Sequence, residues 1–315
     1  MDSNQIQTAN RLRARKKWYS IKLFLIIIPF LVLVFLFSYY PLYGWRYALY
    51  DYRPPYKLSD CEFVGFKWFT TLFSNATKRK AFLQVMKNTF VMSGLHIIFS
   101  WIPMAFAILL NEIKLTPYKK VVQTLTTLPH FISWVLVYTL AYSLLSNSGA
   151  VNTFAIQSGW YTEPKLFLQD SEHTYLFMWL LGIWKGTGWS AIMYIAAIAG
   201  IDSELYDAAY VDGANRFQTM WHITVPSLLP TFFVLLLLNV ASFLNNGVEQ
   251  YYVFQNSFNK EKIQVLDLYV YNLGLGGQGG YSVATAISIM KSFVSLTLLF
   301  SVNSLSKLLR GDSIL

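Results

Sequence analysis

The sequence predicts an all-α, polytopic membrane protein with six transmembrane helices and a short cytoplasmic helical segment. Of its 315 residues, 55% are hydrophobic and only 13% are charged, whereas soluble domains carry about 25% charged residues. Six apolar runs each have roughly the 20 residues needed to cross a ~30 Å hydrocarbon core. The 10 Trp and 21 Tyr suit the aromatic belts found at both membrane interfaces. None of the runs alternates with period two, so a transmembrane barrel is not expected.

The six predicted spans are apolar runs separated by more polar connections. They are Ile21–Tyr40, Asn88–Leu110, Val121–Ser146, Tyr175–Gly200, Ser227–Asn246 and Ser282–Leu305. The first follows a basic tail, residues 1–20, but it is too long for a signal peptide and no small-residue cleavage site follows it. We therefore expect a retained helix with residues 21–87 as first span and external loop, and residues 88–306 as the core that holds the other five spans.

The basic N-terminal tail predicts a cytoplasmic N-terminus, because Lys and Arg accumulate on the cytoplasmic side. Six crossings then place the tail of residues 307–315 in the cytoplasm as well. The loops Asn147–Thr174 and Gly247–Tyr281 fall outside. One feature disagrees: the stretch Pro41–Lys87 has eight Lys or Arg and is also predicted outside, although long loops follow the charge rule poorly.

Several classes of protein are disfavoured by the rest of the composition. The formal charge of +9 is explained by basic residues flanking membrane helices, without nucleic acid. The single Cys61 excludes an internal disulfide or a cysteine-based metal cluster. The four histidines, His96, His130, His173 and His222, are scattered and form no metal-binding pattern, which disfavours a membrane enzyme. No G-x-x-x-x-G-K-[ST] motif is present, so the chain has no such phosphate-binding loop.

Residues 202–226, between the fourth and fifth runs, predict a docking element. Asp202 or Ser203 can cap a helix, and Glu204 and Asp207 then lie in or near its first turn, where carboxylates suit the helix dipole. Gly213 can break or turn this helix.

The second half of the same segment predicts another short helix. Phe217, Met220 and Trp221 share one face at spacings of three and four, and Pro226 suits the start of the next membrane helix. On these features alone, a docking element and an ordinary surface loop with an interfacial helix are equally open.

The spacing of this segment closely resembles the EAA loop of ABC importer permeases. Asp207-Ala208-Ala209 is followed by three residues, then Gly213, nine residues and Ile223-Thr224-Val225-Pro226. The family pattern has Glu where Asp207 stands and Leu where Val225 stands. FVGFKWFTTLF (63–73) resembles the segment before the second helix of sugar permeases, and KNTF (87–90) resembles the start of their conserved domain. IWKGTGWSAIMYIAAIAGID (183–202) and GGYSVATAIS (279–288) resemble the family branch that serves complex oligosaccharides.

The resemblance implies a type I ABC importer permease fold and a permease subunit for a carbohydrate, with another solute class as the alternative. The EAA-like loop would be a coupling helix seated on an ATPase, through the residues Glu204, Asp207, Ala208, Ala209, Asp212, Gly213, Ile223 and Pro226. The implied partners are a second, different permease, two ATPases that use ATP and Mg, and an external solute-binding protein. The chain itself would bind no cofactor, and the implied location is a bacterial-type plasma (inner) membrane. A non-transporting receptor would not need such a dock.

Polar residues in the last three runs predict a sugar path, because Asn and Ser offer hydrogen bonds and Trp offers a flat apolar face. The candidates are Trp184, Lys185, Trp189, Asn239, Ser242, Asn245 and Asn246. Each can equally be interhelical glue; family similarity places substrate contacts near the last two. The glycines of the fourth run, Gly182, Gly186 and Gly188, allow either a helix break or close packing.

Two lysines, Lys185 and Lys291, are predicted about 14–15 Å inside the membrane. An unpaired lysine there costs about 2.5–3.5 kcal/mol on insertion scales, and no Asp or Glu lies inside the six runs. The compensation can come from Glu249, backbone carbonyls, a water-filled cavity or the partner permease. Alternatively, one lysine faces the path and meets an acidic group on the cargo.

Overall fold

The computed structural model describes residues 18, 22–276 and 280–310. In that part of the chain the secondary structure is helical apart from one isolated antiparallel bridge between Tyr50 and Phe63, which confirms the all-α prediction. The basic tail other than Trp18, the glycine at position 279 of the family-like stretch and residues 311–315 lie outside the described residues.

The described helices are numbered in chain order. They are α1 (Lys22–Leu49), α2 (Lys67–Ser74), α3 (Ala76–Ile98), α4 (Ile102–Asn111), α5 (Thr116–Phe131), α6 (Trp134–Leu145), α7 (Ala150–Gln157), α8 (Thr174–Ala199), α9 (Ser203–Val211), α10 (Arg216–Ala241), α11 (Glu249–Phe254), α12 (Lys260–Ile263), α13 (Leu266–Gly274) and α14 (Tyr281–Arg310). Short 3-10 turns lie at Leu58–Asp60 and Phe167–Gln169.

Four helical stretches of the described chain are long and apolar enough to span a membrane, or five if one bent pair is counted as a single span. The four are α1, the α3–α4 unit (Ala76–Asn111), α10 and Tyr281–Ser304 within α14. Helix α8 has 26 residues, which is long enough at about 39 Å, but its Gly, Trp, Thr and Lys residues make it less apolar. The predicted count of six is therefore not confirmed by length and apolar character alone.

The third predicted span, Val121–Ser146, is broken rather than continuous, which corrects the prediction. The helical stretches Thr116–Phe131 and Trp134–Gln157 meet at 104°. Pro129 lies in the last turn of α5, and the backbone is extended at the two residues that follow the helix. Ser133 then caps α6 by accepting a hydrogen bond from the Leu136 amide at 3.4 Å. A proline near the helix end and a serine cap together account for the break.

The fifth predicted span also ends earlier than expected. Helix α10 ends at Ala241, so Ser242, Asn245 and Asn246 lie in the turn that follows and not on the helix. Gly247 completes this turn with φ = +78°, a conformation that glycine adopts without steric cost. At its other end α10 is continuous from Arg216 through a π-helical stretch, Met220–Thr224.

Helix α8 is the central packing element of the bundle. It contacts α4 and α5 extensively, and its buried Ala191, Tyr194 and Ile198 pack in one apolar cluster with Leu228 of α10. A Cβ on Gly188 would lie 2.1 Å from the backbone oxygen of Thr126. Of the two roles left open for the glycines, Gly188 therefore serves close packing, and α8 is unbroken.

Candidate transport groove and docking segment

A cavity of about 610 Å³ lies between α3, α8 and α10. Its lining residues with hydrogen-bonding side chains are Ser93, His96, Ser100, Thr187, Trp189, Ser190, Tyr194, Asn239, Ser242, Asn245 and Asn246. Apolar residues such as Phe99 and Leu235 complete the walls, and none of the described lining residues is Asp, Glu, Lys or Arg. We call this cavity the groove; it offers neutral hydrogen-bonding groups beside flat aromatic rings.

The structure brings five of the seven path candidates together in the groove: Trp189, Asn239, Ser242, Asn245 and Asn246. The other two lie elsewhere. Trp184 is exposed on a different part of α8, and Lys185 is buried at 9% exposure. The predicted apolar platform for a sugar is thus reduced to the exposed ring of Trp189, with the partly buried Phe99 in the same cavity.

The two neighbouring asparagines have different surroundings. Asn246 donates a hydrogen bond from Nδ2 to Oγ of Ser93 at 2.9 Å, and Ser93 donates in turn to the Phe243 carbonyl. Asn246 therefore ties the turn after α10 to α3. Asn245 is exposed in the groove, where its amide can reach a solute.

We expect N245A to lower transport several-fold with assembly unchanged, because one net hydrogen bond is worth about 0.5–1.5 kcal/mol. N246A is expected to lower thermal stability as well, since it leaves the Ser93 hydroxyl without this donor. Uptake and melting temperature of the purified complex measure the two effects. Equal loss of stability in both variants would assign both asparagines to structure.

Lys185 stabilises the break in the third span. Its Nζ donates to the carbonyl oxygens of Pro129 at 3.1 Å and His130 at 2.7 Å, and it lies 5.4 Å from the Trp134 ring centroid. Both carbonyls lie at the C-terminus of α5, where a cation suits the helix dipole, and the Pro129 oxygen also accepts from the Ile132 amide. The His130 ring stacks on Trp189 with centroids 4.6 Å apart, so the break also supports a groove-lining ring.

Lys291 has a partner that the sequence did not indicate. It forms an ion pair with Asp267 of α13, and the two side chains are only 16% and 17% exposed. The other carboxylate oxygen of Asp267 accepts a hydrogen bond from the Gly247 amide at 2.9 Å. Glu249, the acidic residue that the sequence offered as a candidate, is therefore not the ion-pair partner, and Asp267 links α14 to the turn after α10.

We expect K291M and D267N each to lower the melting temperature of the complex, because removing one partner leaves the other charge nearly buried and unpaired. Breaking a fully buried pair costs about 3–5 kcal/mol of stability. Because this pair is partly exposed, we expect the loss of stability to be smaller. The double variant should recover part of the loss. K87M is the matched control, since Lys87 is exposed. Additive losses in the double variant would contradict the pairing.

The segment of residues 202–226 forms two helical pieces at a turn. Asp202 caps α9 by accepting from the Glu204 amide at 3.0 Å. Gly213 ends the element with φ = +77°, and Asn215 caps α10 through a reciprocal capping box with Gln218. The first helix is therefore Ser203–Val211, and the residues after it form the turn.

The turn of this segment presents an exposed apolar surface. Tyr210 and Val211 are 83% and 84% exposed, and Phe217 and Trp221 are 73% and 64% exposed. The first pair was not singled out from the sequence, although two apolar residues shortly before a helix-ending glycine were a usable signal. These four residues are called the docking surface.

The candidate coupling residues of the same segment differ in how exposed they are. Glu204, Asp207, Ala208, Asp212, Gly213 and Pro226 are exposed, whereas Ala209 and Ile223 are partly buried. The Tyr206 and Thr224 hydroxyls lie 3.1 Å apart, which fastens α9 to α10. A force on the docking surface can therefore be transmitted directly to a membrane helix.

A polar groove between membrane helices and an exposed apolar segment define a membrane transport subunit. No group of three or more potential metal ligands occurs among the residues that the structure describes. Residues 116–311 match the family of binding-protein-dependent transport system inner membrane components, and the chain belongs to this family. It is a transport component with the type I importer permease fold, and the enzyme and receptor alternatives are set aside.

Two Bacillus subtilis (strain 168) proteins are similar along most of their length. Protein LplB is 38% identical over 296 residues, which cover 93% of this chain and 89% of LplB. The polygalacturonan/rhamnogalacturonan transport system permease protein YteP is 39% identical over 287 residues, which cover 90% of this chain and 87% of YteP.

Two solved structures share the fold. The crystal structure of a bacterial ABC transporter involved in the import of the acidic polysaccharide alginate contains a chain that is 33% identical, with a TM-score of 0.80. The alginate transporter in complex with an alginate pentasaccharide-bound periplasmic protein gives a TM-score of 0.81 at the same identity. Both alignments cover 94% of this chain and 99% of the other.

Proposed function

We propose that this chain forms half of the membrane path of an ABC importer for oligosaccharides, and that its cargo is of the acidic class. The observation that carries the proposal is the groove, where neutral hydrogen-bonding side chains lie beside the exposed ring of Trp189. Sugar hydroxyls need donors and acceptors, and sugar C–H faces stack on aromatic rings. The names of YteP and of the alginate transporter support an acidic polysaccharide fragment.

The assembly proposed for this function has further chains. A second permease, different from this one, closes the open side of the groove, and an external binding protein delivers the cargo. Two ATPases use ATP and Mg, and one of them receives the docking surface within residues 202–226. Both termini, residues 1–20 and 307–315, then lie in the cytoplasm, with residues 88–306 as the permease core in a bacterial plasma (inner) membrane.

The test is uptake by the complete importer in proteoliposomes, with the binding protein on one side and ATP on the other. Trigalacturonate, an alginate trisaccharide, maltotriose and a tripeptide are offered separately. We expect ATP-dependent uptake of at least one uronate oligosaccharide and none of the peptide. Uptake of maltotriose alone would contradict the acidic cargo, and uptake of the peptide alone would favour a permease for another solute class.

A further inference from the structure

His96 differs from the other histidines of the described chain in having no internal partner. His130 stacks on Trp189, His173 contacts Asp170 at 2.6 Å, and Nδ1 of His222 lies 2.9 Å from the Gln218 carbonyl oxygen. Among the described residues, no hydrogen bond, ion pair or ring contact involves the imidazole of His96. Its hydrogen-bonding capacity is therefore available to a solute.

The imidazole lies in the groove itself. His96 is exposed and lines the cavity between α3 and α8. A Cβ on Gly182 would lie 3.3 Å from Cε1 of His96 and 3.9 Å from Oε1 of Gln250. The absence of a side chain at Gly182 thus leaves room for the ring beside α8.

The position of His96 along its helix places it at transport depth. The predicted outer boundary of this span is Asn88, eight residues earlier, so His96 lies about 12 Å inside a ~30 Å core. In secondary transporters, substrate sites lie near the midplane of the bilayer. An ionisable side chain at that depth is costly in lipid and marks a solute pathway when it faces a cavity.

The two lysines predicted inside the membrane, Lys185 and Lys291, cannot take the same role without breaking contacts. Lys185 donates to two carbonyls of α5, and Lys291 is paired with Asp267. Neither lines the groove. Among the described groove-lining residues, His96 is the only side chain that can carry a positive charge, so a carboxylate in the groove has no other cationic partner among them.

We infer that His96 recognises the carboxylate of an acidic sugar unit as it passes the midplane of the groove. The inference rests on the proposed function and names the specificity-determining group within it. An imidazole N–H donates to a carboxylate oxygen in either charge state, and the protonated ring makes the stronger, charge-assisted bond. Exposed polar side chains of the groove, such as Asn245, bind the hydroxyls, and these contacts are common to neutral and acidic sugars.

The experiment compares H96L, which removes the donor, with H96K, which keeps a cationic donor. Each is measured in the complete importer for ATP-driven uptake of trigalacturonate and of its neutral methyl ester. H173Q is the matched control, because His173 is an exposed histidine of the predicted external loop. We expect H96L to lose about tenfold in trigalacturonate uptake, with little loss for the ester. H96K should retain most of the acidic uptake, and H173Q should behave as wild type.

The outcomes separate the inference from the proposed function. A wild-type importer that carries no uronate oligosaccharide overturns both. An H96L variant that carries trigalacturonate as well as the wild type overturns the inference alone, as does an equal loss in H96L and H96K with the complex assembled. If H96K does not assemble, the ratio of acidic to ester uptake by H96L decides, and an unchanged ratio overturns the inference.

Discussion

Replacement of Gly188 by leucine is expected to abolish assembly of the permease. A Cβ at this position would lie 2.1 Å from the Thr126 oxygen and 2.7 Å from the Thr127 amide nitrogen, which are backbone atoms and cannot rotate away. Even G188A requires α5 and α8 to separate, and forced overpacking costs about 1–3 kcal/mol or more. The leucine side chain adds further volume where two helices touch. The amount of complex recovered from membranes measures the effect.

A glycine on the same helix provides the matched control. A Cβ on Gly186 meets no atom within 4 Å, so G186A should assemble normally, whatever it does to transport through the groove. Normal recovery of G188L would show that α5 and α8 do not touch at this position, and it would leave the role of the three glycines open again.

Much of the fold could be predicted because apolar runs directly report burial in lipid. The fourth span, Tyr175–Gly200, differs from α8 by one residue at each end. The break in the third span could not be predicted from the apolar run. The run continues through Ile132, so the mean hydropathy of the run gives no sign of the kink. Pro129 and Ser133 were its local signals, and the Pro129 and His130 carbonyls at the break accept hydrogen bonds from Lys185, which is more than 50 residues away in the chain.

The candidate site was predictable in its composition but not in its contacts. Asn245 was assigned to the path from the sequence, but its place in a turn depends on Gly247 and on the distant Asp267. Asp267, the partner of Lys291, lies in a predicted external connection and not inside the apolar runs, so hydrophobicity gives no sign of the pair. His96 looked like one of several scattered histidines, because only the packing of α3 against Gly182 shows that its ring faces the groove.

The second large effect is expected in the segment of residues 202–226, where G213E and A209W should uncouple ATP hydrolysis from uptake. Gly213 has φ = +77°, and a Cβ there would meet no atom within 4 Å. The glutamate therefore acts through the backbone conformation, which costs other residues about 1–3 kcal/mol, and not through a steric clash. Relief of this strain would reorient Tyr210 and Val211, which lie just before the turn.

Ala209 acts by a different route. It is partly buried near the end of α9, so a tryptophan there should displace α9 from α10 or fill the space against an ATPase. Membrane insertion should be unaffected in both variants, since neither residue lies in a span. ATP hydrolysis and uptake are measured together in proteoliposomes. We expect hydrolysis to continue or to lose its dependence on the binding protein, while uptake falls by about tenfold or more, the equivalent of roughly 1.4 kcal/mol of lost coupling.

The control for G213E is G159E. Gly159 has φ = +72° and open space around it, as Gly213 does, but it lies in the predicted external loop. Because the two substitutions impose the same backbone strain and add the same charge, a general loss of stability would appear in both. Loss of uptake in G213E alone assigns the effect to the segment of residues 202–226, and normal uptake by G213E and A209W would contradict its role as the ATPase dock.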